Sequence, residues 1–553
     1  MRQCCTVTSA TDIAPGAVRA DRWLARLAGV VAAGVALGVG ELVSGTATPT
    51  QSLVGSIGGE IIDHAPGVAV RSAIDALGTA DKAVLLTLIV IVCLALGALV
   101  GSETRRRPWI GPVAFGAAAL VGAAAGVRDP LADDTVTILA AVLGAVAGAG
   151  TLALLLRLLP EPSAPVLDET AGADVRAPLP LPGRSAGSRR SFLAWTGVAG
   201  AAGVAAALGG RAMGGSSQVE RARVAIQLPT PSSTLPASGT GTSTGAVGQG
   251  LDGGLLVDGL SPLITPNEDF YRIDTALLLP QADISSWRLE IKGEVDRPLS
   301  LSYDDLLALP QVAAPVTIAC VSNNVGGDLV GTAVWQGVPL ADPLEQAGVR
   351  SGGEQVVGRS LDDFTVGFPI EAALDGRTAL VAVGMNGEPL PLNHGFPARL
   401  IVEGLYGYVS ATKWLRAIEL RGWNDYNAYW IDLGWAKEGP IKTQSRIDVP
   451  LGTSKLFAGT TYPVAGVAWA PGRGISKVEI QIDDEPWQEA ELGTELADAT
   501  WRQWFWPWQP TAGRHEVKVR ATDGTGETQT SDEAPPDPDG ATGYHRKIYK
   551  VSD

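Results

Sequence analysis

Five apolar stretches within the first 210 residues constrain this chain more than any other feature. Trp23 to Val43, Ala83 to Val100, Trp109 to Val127, Thr135 to Leu159 and Phe192 to Gly209 each approach the ~20 residues with which a helix crosses a hydrocarbon core. Backbone polar groups cannot find water there, so such segments must be helical. Residues 1–215 are therefore expected to form an α-helical membrane region with about five transmembrane helices. Residues 51–80 are also apolar in part, but glycines, Pro66 and interspersed charges predict a short interfacial helix instead of a sixth span.

Arginine placement orients the spans, because basic loops resist translocation. Arg19, Arg22 and Arg26 precede the first, Arg105, Arg106 and Arg107 separate the second from the third, and Arg184, Arg189 and Arg190 precede the fifth. These segments are expected on the cytoplasmic side, which leaves everything after about Gly210 outside. Arg189, Arg190, Phe192 and Leu193 also resemble a twin-arginine export signal. An ordinary positive flank is the alternative that their internal position favours, and both readings place the carboxy-terminal half outside the cytoplasm.

Charge divides the chain at the same place. Residues 1–216 hold 16 Lys/Arg and 15 Asp/Glu; with 42 and 58 in the whole chain, residues 217–553 hold 26 and 43, a net −17. So acidic a half disfavours nucleic-acid partners. Residues 216–252, rich in Ser, Thr, Gly and Pro, are expected to be a flexible linker. Beyond it, short β-type runs such as Trp287 to Ile291, Thr365 to Phe368 and Ala379 to Val383 alternate with brief helical patterns at Tyr303 to Ala308 and Leu340 to Ala347. This predicts an α+β domain over 253–440. Regular alternating strands from Tyr462 onward predict an all-β immunoglobulin-like sandwich over 441–553, with Trp501, Trp504, Trp506 and Trp508 packing between its sheets. No GxGxxG follows a strand and no GxxxxGK[ST] occurs, so a nucleotide cofactor has no support.

Cys320 stands alone in Thr-Ile-Ala-Cys-Val-Ser-Asn-Asn-Val-Gly-Gly, because Cys4, Cys5 and Cys93 are poorly placed to pair with it. A free thiol in an oxidising compartment is either put to use or buried as a small core residue, and spacing alone leaves both readings open. The stretches around it decide more. ITPNEDFYRIDTAL at 264–277, TIACVSNNVGGDLVGTAVWQGVPL at 317–340 and NGEPLPLNHGFPARLIVEGLYGYVSATKWLRAIEL at 386–420, followed by the β-rich end, resemble the sulfite oxidase family of molybdenum enzymes from Gly259 to Val551.

The resemblance implies a sulfite oxidase-like molybdopterin-binding fold and a molybdenum–molybdopterin cofactor, with Cys320 as metal ligand and catalytic centre. A soft thiolate suits molybdenum. It further implies cofactor contacts from Asn267, Tyr271, Arg272, Ser360, His394, Arg399, Ala411, Thr412 and Lys413, with Arg399 matched to phosphate by its planar fork of donors. Asp362 and Asp363 stay unassigned. The loop after the cysteine departs from the family: Asn323, Asn324, Val325 and Gly326 stand where sulfite oxidases carry arginines, which puts sulfite in doubt as substrate. Arg359 and Arg377 are the distant arginines that could restore the charge. There is no CxxCH, and none of the four histidines lies in a predicted span, so electrons are expected to pass to a separate carrier, a haem protein or a quinone-linked one.

The reading is a multi-pass cell-membrane protein with an extracytoplasmic oxidoreductase domain acting on a small oxyanion, S-oxide or N-oxide. Its partners are expected to be lipid, the electron carrier and, through the immunoglobulin-like domain, a second copy in a homodimer. Sulfite oxidation proper is the alternative within the class, and a non-catalytic receptor that retains the fold is the alternative outside it. A topology reporter fused after Gly250 is expected to be active only outside the cytoplasm, and one in the Arg105 to Arg107 loop only inside; the reverse pattern would overturn the orientation.

Overall fold

The computed structural model describes residues 15–46, 51–77, 80–159, 189–213, 216–234 and 253–553, and the chain divides into two compact units, Met1–Gln218 and Val219–Asp553. Cys4, Cys5, Arg184 and positions 185–188 ahead of the twin arginine lie outside the described residues.

The first unit is helical: α1 (Pro15–Ser44), α2 (Leu53–His64), α3 (Gly67–Leu77), α4 (Asp81–Thr104), α5 (Ile110–Arg128), α6 (Asp134–Arg157) and α7 (Arg189–Met213). Among the described residues, five helices are long and apolar enough to cross a membrane: Arg22–Ser44, Asp81–Thr104, Ile110–Arg128, Asp134–Arg157 and Arg189–Ala212. Helix α1 packs against α4, α6 and α7, and small residues set the approach. A methyl at Gly29 would fall 1.9 Å from the Gly97 carbonyl oxygen, and one at Gly38 would fall 2.2 Å from that of Gly203. Such contacts let helix backbones touch. Where one short helix is expected, residues 51–77 form two, and α2 buries Val54, Gly55, Ser56 and Gly58. Ser52 caps α2 by accepting from the Gly55 amide, and the Ser56 hydroxyl donates to Asp129 at 2.9 Å. Paired polar groups make that burial tolerable.

The second unit opens with the end of α8 (Ser216–Ala225) and runs through β1 (Ser233–Thr234), β2 (Arg288–Gly293), β3 (Leu299–Ser302), α9 (Tyr303–Ala308), β4 (Val312–Ala319), β5 (Val330–Pro339) and α10 (Ala341–Ala347). It continues with β6 (Gln355–Ser360), β7 (Thr365–Pro369), α11 (Glu371–Leu374), β8 (Ala379–Met385), β9 (Glu388–Pro389), β10 (Arg399–Val402), α12 (Gly407–Ser410) and β11 (Leu415–Arg421). Part of the expected linker is thus structured: Arg223 of α8 donates to the Pro389 carbonyl at 2.8 Å, Val219 is buried, and β1 pairs in parallel with β4. Residues 235–252 of that linker lie outside the described residues. A few apolar and basic anchors outweigh a composition that favours flexibility.

One sheet has the order β1-β4-β5-β8-β10, with β9 on β8, and a second has the order β3-β2-β11-β6-β7. Strand β8 is buried throughout, because its two faces serve two cores. Ala379, Val381 and Val383 enter one, while Leu380, Ala382 and Met385 enter the other with Trp335 and Ile401. A two-residue period sends alternate side chains to opposite faces, and an irregularity in the pairing with β5 at Val383 shifts Met385 onto the second face. Helix α9 starts with a capping box, Ser302 accepting from the Asp305 amide while Asp305 accepts from that of Ser302.

The remaining strands are β12 (Gln444–Val449), β13 (Leu456–Phe457), β14 (Tyr462–Trp469), β15 (Ile475–Ile482), β16 (Gln488–Glu489), β17 (Glu491–Leu492), β18 (Arg502–Trp508), β19 (Gly513–Asp523) and β20 (His545–Ser552). They form sheets of order β12-β14-β18-β17 and β13-β20-β19-β15-β16, and Ile447, Val464, Val478, Trp504, Val519 and Tyr549 share one core. Trp504 and Trp508 belong to this core, but Trp501 joins the core of the preceding sheets and donates its indole N–H to the Leu263 carbonyl. Trp504 is fully buried with no partner for its indole nitrogen. Trp504→Ala is therefore expected to cost about 3–5 kcal/mol by the cavity it leaves, and Trp504→Phe clearly less, as read from denaturant titrations of the full chain.

Candidate functional site

Cys320 immediately follows β4, the strand whose pairing with β5 runs from Val312 to Ala319. Its amide donates to the Leu329 carbonyl and its own carbonyl accepts from the Asn323 amide, which closes the loop back toward β5. Asn323 Oδ1 accepts from the Leu329 amide at 3.0 Å, so that side chain is spent in holding the loop. The Cys320 thiol is buried. Burial pushes its pKa up, opposed by hydrogen bonds from the Ser322 amide and hydroxyl and by the charge of Lys413.

Tyr271, Lys413 and Tyr406 interact electrostatically with this thiol, and Arg399 interacts with Tyr271. Burial raises Tyr271, with Cys320 adding in the same direction and Arg399 opposing. Arg399, at the start of β10, is 4% exposed and lies 4.8 Å over the Trp335 ring. Its Nη1 donates to the His394 carbonyl at 3.1 Å, and its Nε is buried with no partner. Among the described residues no carboxylate pairs with it, and burial lowers it to about 10.

His394 closes the turn before β10 and is bonded to the Asn267 carbonyl through Nε2 at 3.0 Å. Burial, reinforced by Arg399, Lys413 and Arg272, lowers its pKa to about 4. The ring is neutral at pH 7, so Nε2–H donates and Nδ1 is left as an acceptor. The Asn267 amide group is itself spent on Glu388, Met385 and Asn386. Its place in the site is to hold His394.

Helix α12 and the turn after it bring in Ala411, Thr412 and Lys413. The Ala411 amide donates to Gly407 and the Thr412 carbonyl accepts from Leu400. The Thr412 hydroxyl is fully buried without a partner. Lys413 Nζ lies 2.8 Å from Asp274 and 4.7 Å over the Trp414 ring, and burial lowers it to about 8. Arg272, exposed, meets the same Asp274 carboxylate at 2.8 Å. The Ser360 hydroxyl bonds Asp362, whose pKa burial raises with help from Asp274. Asp363, by contrast, pairs with Arg416 and Arg359.

The two distant arginines expected as sources of substrate charge are committed elsewhere. Arg359 donates to Glu419 at 3.2 Å and Arg377 to Asp375 at 2.7 Å, since each has a nearer carboxylate of its own. Sequence reasoning missed Asp274, Trp335 and Tyr406. Asp274 stands inside the 264–277 motif and was within reach of it. Tyr406 is raised to about 12 by burial, with Asp539 and Cys320 adding, and its proximity to the thiol has no local signal in the sequence.

A family described as "Oxidoreductase molybdopterin binding domain" matches residues 276–430. Mitochondrial sulfite oxidase of Mus musculus is 31% identical over 51% of this chain and 59% of its own length. Sulfite oxidase of Gallus gallus is 30% identical over 49% and 69%. The uncharacterized oxidoreductase YuiH of Bacillus subtilis is 36% identical over 28% and 76%. The chain spans 59% and 52% of the mouse and rat enzymes. It belongs to the sulfite oxidase family of molybdopterin-dependent oxidoreductases, and a molybdenum cofactor goes with that family.

The residues fit that group. A buried guanidinium with no anionic partner is costly alone, and an anionic ligand would relieve that cost. His394 supplies a pH test. Because the folded ring resists protonation, its contribution to stability is present above the unfolded pKa of about 6.5 and is lost as pH falls toward about 4. Melting temperature is expected to drop over that window, with a shallower slope in His394→Gln; an unchanged slope would mean the ring is already charged in the folded protein.

Proposed function

We propose that this chain is a membrane-anchored, extracytoplasmic molybdenum-cofactor oxidoreductase acting on a small sulfur or nitrogen oxide. The observation that carries the reading is the buried Cys320 thiol within the electrostatic reach of Tyr271 and Lys413, with the unneutralised Arg399 guanidinium acting on the same Tyr271. Cys320 is the protein ligand of the metal. Arg399 and Lys413 hold the cofactor phosphate, and Arg272 adds positive charge at the rim. His394 Nδ1 and the Thr412 hydroxyl face the pterin, Tyr271 and the Ala411 carbonyl line it, Asn267 fixes His394, and Ser360 stands behind through Asp362. The bound cofactor supplies two-electron oxygen-atom transfer, while the chain binds, orients and gives access. Electrons pass to a separate carrier. The five apolar helices support anchoring, and the two sheets sharing one core support an immunoglobulin-like sandwich, through which a homodimer would form.

The missing loop arginines, together with the commitment of Arg359 and Arg377 to carboxylates, favour a neutral or less charged S- or N-oxide over sulfite. Metal and pterin analysis with steady-state assays on an artificial electron carrier tests both levels. Molybdenum and pterin are expected in wild type, pterin without activity in Cys320→Ser, and loss of pterin in Arg399→Met. Sulfite kcat/KM is expected well under ~10⁴ M⁻¹s⁻¹. Efficient sulfite oxidation would overturn the substrate assignment, and a folded chain devoid of molybdenum the whole reading.

A further inference from the structure

The loop that follows Cys320 is held from outside its own sheet. Arg446, on β12 of the carboxy-terminal sheets, extends a largely buried guanidinium to two other segments and to a carboxylate of its own strand. Its Nη1 donates to the Gly327 carbonyl at 2.8 Å, its Nη2 to the Ser261 hydroxyl at 2.8 Å and its Nε to Asp448 Oδ1 at 2.6 Å. Asp448 in turn accepts from the Ser261 amide at 3.1 Å, so the ion pair is itself tied down. Only 11% of the Arg446 side chain and 8% of that of Asp448 are exposed. A charged pair taken this far from water is costly unless its donors are matched, and here all three nitrogens of the guanidinium are used.

The same loop meets a second residue of those sheets. Gly326 has φ +77°, and a methyl there would fall 2.3 Å from Cδ2 and 2.4 Å from Nε2 of His545. The His545 ring is fixed in turn, because its Nδ1 accepts from the Ile447 amide at 2.9 Å. The loop between Cys320 and Leu329 is thus pinned at Gly327 by a donor fork and walled at Gly326 by a ring. Inside the loop, the Gly327 amide donates to the Asn324 carbonyl and the Asn323 amide to that of Cys320. A displacement at Gly327 therefore passes through two short hydrogen-bonded turns to the cysteine.

We infer that Arg446 and His545 are positioning residues for the cysteine ligand, setting from the carboxy-terminal sheets the direction in which Cys320 presents its sulfur to the metal. The inference rests on the assignment of Cys320 as that ligand. It goes beyond that assignment in giving the carboxy-terminal sheets a part in the metal site. Arg446 is the better handle, since its contacts to Gly327 and Ser261 link segments that share no strand pairing with β12.

The test uses the full-length, cofactor-loaded protein and reads the EPR spectrum of the half-reduced metal, molybdenum and pterin content, melting temperature, and kcat and KM separately. Arg446→Met keeps the length of the side chain and removes the donors. It is expected to keep pterin and molybdenum, to shift the EPR g-values and to lower kcat by up to about 10²-fold, as a misplaced reacting group does, with KM little changed. Arg446→Lys, which can reach one acceptor but not three, is expected to fall between. Gly326→Ala is expected to shift the same signal by pushing on the His545 ring, and adding His545→Ala to it should bring the signal back toward wild type. That pair decides the matter if Arg446→Met does not fold. An unshifted EPR signal in folded, loaded Arg446→Met or Gly326→Ala would overturn the inference. A wild-type signal that is indifferent to Cys320→Ser would instead overturn the ligand assignment on which it rests.

Discussion

A guanidinium buried without a counter-charge organises the second unit. Arg399 can be held there only because Trp335 presents its ring face, the His394 carbonyl accepts one donor and Tyr271 lies close by. These contacts offset part of the desolvation and neutralise none of the charge. Burial, with this charge adding to it, then sets the state of its neighbours. His394 stays neutral and Lys413 is lowered even though it touches Asp274. An anion arriving in this field would be bound and would stabilise the fold by the same free energy, so cofactor loading and folding stability are linked quantities.

The scaffold that holds Arg399 is a sheet buried on both faces. Strand β8 serves two cores at once, which leaves β4 and β10 on either side of the β5–β8 pair with little freedom to shift register. Cys320 and Arg399 stand at the end of β4 and the start of β10, so their separation is set by sheet geometry and not by loop conformation. The parts supplied by loops are the ones cross-braced by side chains: Asn267 on His394, Asp274 on Lys413 and Arg272, and Arg446 on Gly327. Sites held to fractions of an ångström need that second layer of support.

Charge around the site is arranged in closed pairs. Arg359 with Glu419, Arg377 with Asp375 and Arg416 with Asp363 spend their charge locally. Near the thiol, Lys413 and Arg272 share Asp274, and Arg399 keeps its charge without a carboxylate among the described residues. This separates an anion-binding interior from a unit that is strongly acidic overall, and a dianionic substrate would meet that acidic exterior first.

Several of these features were legible in the sequence alone. Apolar run length marked the five long helices, short β-type runs marked several of the strands, and three separated motifs singled out Cys320, His394, Arg399 and Lys413, because each of these signals is carried by residues close together in the chain. Tertiary structure alone decided the rest. Only the folded chain shows that α2 is packed into its unit, that residues 216–234 form a helix and pair with β4, that Trp501 leaves its fellow tryptophans for another core, that Arg359 is already spoken for, and that Arg446 reaches a carbonyl 119 positions away. A local window reports which residues want to be buried or paired. The choice of partner depends on strand order and register, which bring distant segments together only when the whole sheet forms.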